Sequence, residues 1–150
     1  MTPDELEDAW ILLKDSLASE WGNHQEPDEF DFAKVSLDLE RGVLVYTNRR
    51  EDRYDPENIH TLFEVRYEIP LRNVDPSKVE FDSVHLRLGA LSPDQSFTAW
   101  TKSSAVDESP DLETSLLLRL NNKFFSSKPT DEGVLQLVTA LANLATHYQP

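Results

Sequence analysis

Chemistry in this sequence would have to come from four histidines, His24, His60, His85 and His147, and from a surplus of carboxylates. The histidines are scattered. No two stand at the spacing of a helical metal pair, and the absence of cysteine excludes thiolate metal sites, cysteine nucleophiles and disulfides. His85 alternates with apolar neighbours, which places it on the solvent face of a strand. No G-x-S-x-G elbow is present, and Gly22, Gly42, Gly89 and Gly133 lie too far apart to cradle a phosphate or a dinucleotide. Glu26, Asp28, Glu29 and Asp31 lack the spacing and the turn glycine of a calcium loop. Among 28 acids some pairs approach one another by chance, so paired carboxylates carry no specific signal for hydrolysis. No catalytic residue, metal or cofactor is therefore expected, and the chain reads as a non-enzyme. A cleft with converging titratable side chains would argue the other way.

Two groups remain as binding candidates. Arg49, Arg50 and Arg53 form the densest positive spot and fall in a polar stretch, Asn48 to Asn58, that reads as a loop between strands. Their forked donors suit carboxylate or phosphate; the competing reading is local pairing with Glu51, Asp52 and Asp55. The second group is an apolar stripe carrying Trp10 and Leu13, which either packs on the protein's own sheet or docks a partner. Phe97 and Trp100, three apart on one strand, face opposite sides, so one belongs to the core and the other is partly exposed.

The 150 residues carry 14 Lys and Arg against 28 Asp and Glu, a formal charge of −14. Such a surface repels phosphate backbones and anionic lipid, so no nucleic acid and no membrane is expected as a partner. A basic protein partner, or mimicry of nucleic acid, remains compatible with the charge. With 39% hydrophobic residues the chain can fill a core, and no apolar run reaches the ~18 residues of a membrane span. A soluble cytoplasmic protein is expected.

The elements follow from periodicity. Residues 2 to 21 predict a helix: Thr2 caps it, Pro3 suits the first position, Glu5 completes a capping box, and Leu6, Trp10, Leu13, Leu17 and Trp21 share a face. Residues 22 to 31 read as a polar connector. Alternation from Ala33 to Leu39, Val43 to Thr47, Ile59 to Leu71, Val79 to Leu88 and Phe97 to Thr101 predicts strands, with residues 102 to 111 a mobile loop. Leu112 to Leu120 fits a strand or a buried helix by pattern, and the abrupt stop at Asn121 and Asn122 favours strand. Thr130 then caps a helix from Asp131 to Tyr148.

A strand block closed by one amphipathic helix resembles the order of pleckstrin-homology-like domains. The passage Tyr67-Glu68-Ile69-Pro70-Leu71, then Val74-Asp75-Pro76-Ser77 and Val79, is similar to their strand-to-turn handover, over roughly residues 33 to 148. That resemblance implies a curved antiparallel sheet capped by the helix. It implies no phosphoinositide binding, because Glu51 and Asp52 interrupt the arginines. Size, acidity and the leading helix also resemble class I chaperones of type III secretion, which dimerise and wrap an extended segment of a secreted protein.

The sequence thus predicts a single α+β domain over residues 1–150, with an N-terminal helix at 2–21, a strand block at 33–120 and a capping helix at 131–148. The sheet is antiparallel and curved, of about six or seven strands. Its expected role is a non-catalytic protein-protein interaction module, engaging a partner by strand addition or by a helix stripe. The alternatives are an acidic immunity protein or nucleic-acid mimic that neutralises a basic partner, and a chaperone-like binder of an extended segment. A homodimer is compatible with each.

Overall fold

In the computed structural model, which describes residues 1–22, 29–103, 106–121, 124–125 and 130–150, the first helix (α1, Pro3–Leu17) begins as its sequence directs. The Thr2 hydroxyl accepts from the Glu5 amide at 3.2 Å, Pro3 occupies the first turn, and Asp4 and Glu5 sit at the positive end of the helix dipole. The helix stops four residues before the expected Trp21. Asn121, far along the chain, donates from Nδ2 to the carbonyls of Asp15 at 2.6 Å and Ala18 at 2.7 Å. These bonds take the carbonyls a longer helix would have used, and the chain turns into a short strand (β1, Ser19–Gly22).

Strand β2 (Glu29–Asp38) starts earlier than the alternation suggested and pairs with β1, so Glu29 and Asp31 belong to a strand and not to a connector. Glu26, Asp28 and His24 lie outside the described residues. Strand β3 (Val43–Asp52) is also longer than expected. Strands β4 (His60–Pro70), β7 (Phe97–Ser103) and β8 (Val106–Glu113) complete an antiparallel sheet in the order β1-β2-β3-β4-β7-β8. The stretch read as a mobile loop at 102 to 111 is largely the β7–β8 pairing, in which Trp100 faces Pro110 and Thr101 faces Ser109. Pro110 is tolerated there because β8 lies at the sheet's margin, where one missing donor breaks no inner ladder.

A 3-10 turn at Leu71–Asn73 leads out of this sheet into a second one, made of β5 (Val74–Asp82), β6 (His85–Ala90) and β9 (Ser115–Arg119) in the order β5-β6-β9. Most of Leu112 to Leu120 is therefore strand, shared between the end of β8 and β9, with a bend at Thr114 and with Leu120 just past the end of β9. Leu116, Leu118 and Leu120 point inward, with Leu117 on the other side. Helix α2 (Asp131–Tyr148) spans the expected residues, and Thr130 accepts from the Gly133 amide at 3.2 Å.

The fold is α+β, with antiparallel sheets between an N-terminal and a C-terminal helix, as the patterning predicted. Alternation does not reveal that the strands divide between two sheets. One cluster of buried side chains draws on both sheets and both helices: Leu13 and Leu17 from α1, Leu44, Ile69 and Phe97 from the large sheet, Leu86, Leu88 and Leu118 from the small one, and Leu137, Leu141 and Leu144 from α2. Phe97 is in this core. Trp100, on the opposite face as expected, is half-buried under Arg66, whose guanidinium lies 4.4 Å from its ring.

Candidate functional site

The arginine cluster is split by the strand that carries it. Because β3 continues through Asp52, its side chains alternate, and Arg49 and Arg50 face opposite sides of the sheet. On the outer face Glu51, 8% exposed, accepts from Arg49 at 3.5 Å and from Arg53 at 3.1 Å, while Glu64 lies 3.5 Å from Arg49. The Arg53 guanidinium also sits 4.8 Å from the Phe30 ring. Arg50, on the inner face, clamps Asp31 with both prongs, at 2.7 and 3.3 Å. These contacts correct the loop assignment and divide the three arginines between two environments.

The face that carries Arg50 runs from dry core to open cleft. At one end Leu44 and Ile69 pack inward. Moving along the paired strands, Tyr46 faces Tyr67, Asn48 faces Val65 and Arg50 faces Phe63. The small sheet contributes His85 from β6 and, directly across from it on β9, Arg119, with Leu117 one pleat away. Between the sheets lies a cleft of about 430 Å³ lined by these residues and Asp31. His85 thus faces the large sheet and is half-buried, not on an open solvent face, because β6 turns its other side, with Leu86 and Leu88, to the core.

The tyrosines at the cleft floor stack with ring centres 6.1 Å apart and planes 13° from parallel. Burial raises the pKa of Tyr46 above the ordinary tyrosine range, against the opposing hydrogen bonds from the Asn48 side chain and the Arg119 backbone. Burial also raises Tyr67, helped by the negative charge of Glu113. At the far end of the core, burial and then the charge of Asp38 raise Tyr148. All three are held protonated in the fold beyond the ~10 of an unfolded tyrosine. Their contribution to stability is complete below that pH and drains away as pH climbs through the raised folded values. Absorbance titration at 295 nm should show three tyrosines ionising late and together with unfolding. Tyr46→Phe should make the alkaline loss of melting temperature shallower; an unchanged slope would contradict the assignment.

A second concavity runs between the helices. Ala9 and Leu12 of α1 and Ala140 of α2 make its floor, Met1 and Leu135 form apolar lips, and Glu5, Asp8 and Glu132 line the rim of a groove of about 520 Å³. No Lys or Arg lines it. The sequence stripe pointed elsewhere. Leu13 is 1% exposed and sits in the core, and Trp10 packs half-buried against that core on the flank of α1 away from the groove. The groove residues escaped notice because Leu12 and Leu135 lie off the main apolar faces of their helices. Leu135, at 62% exposed, is the visible signal: a large apolar side chain with no core role.

The sheet margins are less inviting. β5 carries Pro76, β8 carries Pro110, and β1 and β9 are four and five residues long, so each offers a broken or short row of donors for strand addition. Among the described residues no cluster of His, Asp and Glu could hold a metal ion, and no helix is long and apolar enough to cross a membrane. In comparison with known proteins, the chain matches no family model, no curated protein and no solved structure.

Proposed function

We propose that the protein is a non-catalytic interaction module that receives a basic amphipathic helix of a partner protein in the groove between α1 and α2. The observation that carries this reading is the pairing of an apolar floor with a rim that is acidic and free of Lys and Arg. An amphipathic helix laid in such a groove places its apolar side chains on Leu12, Ala140 and Leu135 and its flanking cations beside Glu5, Asp8 and Glu132. Asp4 and Asp131, in the first turns of the two helices, extend the same field. A second copy of this chain is the poorer occupant, since it would bring one acidic rim against another.

Titratable side chains also converge in the inter-sheet cleft, the feature that would favour an enzyme. Asp31 there is clamped by Arg50 and burial shifts both tyrosines away from ionisation, leaving His85 as the remaining candidate base.

Anisotropy titration with a fluorescent, Lys-rich amphipathic peptide should show binding that weakens as salt rises, because rim charges are screened. Leu135→Asp should weaken it at least about tenfold, as loss of a central apolar anchor does. Leu117→Asp, on the other side of the molecule, should leave it unchanged. Equal affinity of Leu135→Asp and wild type would overturn the reading.

A further inference from the structure

The geometry points to a second, independent binding site: the inter-sheet cleft takes a small carboxylate with an aromatic body, its anionic end at Arg119 and His85 and its ring against Phe63, Val65 and Leu117. In a chain of charge −14, this concavity carries more Arg than carboxylate. Its lining holds two arginines and a histidine against one carboxylate, Asp31, and that carboxylate is already bound by Arg50 in a two-pronged pair. That local excess of Arg over carboxylate draws an anion inward.

The site is built from rigid parts. Arg119 and His85 stand opposite one another on paired strands, so both side chains project from one face of the small sheet. Tyr46 on the floor of the large sheet and Arg119 of β9 line the cleft together. Arg50 forms the wall opposite, oriented by Asp31. A guanidinium fork matches a carboxylate's two oxygens. Phe63 and Leu117 are large apolar side chains left partly open to solvent, at 41% and 42% exposure, on facing sides of the same cleft. That is the arrangement expected where an apolar ligand body completes the packing. The volume of about 430 Å³ lies in the range of small-molecule sites and suits a one-ring or two-ring acid.

The test is a heteronuclear NMR titration of the full chain with phenylacetate, phenethylamine, phenyl phosphate and inorganic phosphate at equal concentrations. Phenylacetate should shift resonances of His85, Leu117, Arg119 and Phe63 with saturation, and phenethylamine should not. Arg119→Gln should weaken phenylacetate at least about tenfold, Arg119→Lys less so, with both variants keeping the wild-type melting temperature. Binding of the amine as tightly as the acid, or shifts confined to the helical groove, would overturn the proposal. Tighter binding of phenyl phosphate or of inorganic phosphate would also overturn it, by assigning the cleft to phosphoryl groups. The result is separate from the groove reading, because no residue lines both concavities.

Discussion

Gly42→Ala is expected to destabilise the protein by about 3 kcal/mol, read as a shift of the urea midpoint with an unchanged slope. Gly42 ends the β2–β3 hairpin with φ at +66°, a conformation that costs an L-residue about 1–2 kcal/mol. An added Cβ would also lie 2.5 to 2.6 Å from Cδ1 and Cγ of the Tyr148 ring, and overpacking of that kind costs about 1–3 kcal/mol more. The ring cannot easily withdraw. Tyr148 donates from its hydroxyl to the Leu39 carbonyl at 2.6 Å, fastening the end of α2 to the hairpin. The turn is fixed from within as well: the Gly42 amide donates to the Asp38 carbonyl at 2.7 Å, and the Asp38 side chain accepts from the amides of Glu40 and Arg41. A loss below about 0.5 kcal/mol, the scale of a neutral surface change, would show that hairpin and helix are not locked together.

Asn121→Ala should cost a comparable amount, about 3–5 kcal/mol. The side chain is buried, and one amide group makes three bonds: two from Nδ2 to the end of α1, and one in which Oδ1 accepts from the Phe124 amide at 2.8 Å. Alanine would strand two carbonyls and an N–H, each worth about 1–3 kcal/mol when left unpaired away from water. Asn121→Asp retains the acceptor but aims a negative oxygen at the carbonyls of Asp15 and Ala18, so it should be no better tolerated. Hydrogen exchange should locate the damage: the last turn of α1 should open first. Uniform exchange through the molecule would contradict the capping role.

Asn121 also illustrates what the sequence could and could not convey. It marked the end of a strand by its type alone, whereas its role at the end of α1 depends on a contact 106 positions away. Elements with a clear one-sided pattern, such as α2 and the Ala33 to Leu39 alternation, were legible because burial on one face imposes a period. The continuation of β3 through Arg49, Arg50 and Glu51 was not. There polar side chains occupy both faces, one set neutralised by outer-face ion pairs and the other facing the cleft. The candidate site followed the same logic. Arg50 was found for its charge, but its partners His85, Arg119 and Phe63 come from three other strands and share no local motif with it. Trp10 and Leu13 were found as an apolar stripe, and the stripe serves the core. The groove beside it was signalled only by Leu135, an isolated apolar residue outside its helix's main face.

A substitution at Leu13 accordingly tests the fold and not the partner, since Leu13→Asp places a charge in the core. The direct measurement is amide chemical-shift mapping of the full chain with a basic amphipathic peptide added. The account predicts that the perturbed amides cluster on Glu5 to Leu12 of α1 and on Glu132 to Asn143 of α2, with the cleft residues still. Perturbations centred on the strands, or none at peptide concentrations in the high micromolar range, would contradict it.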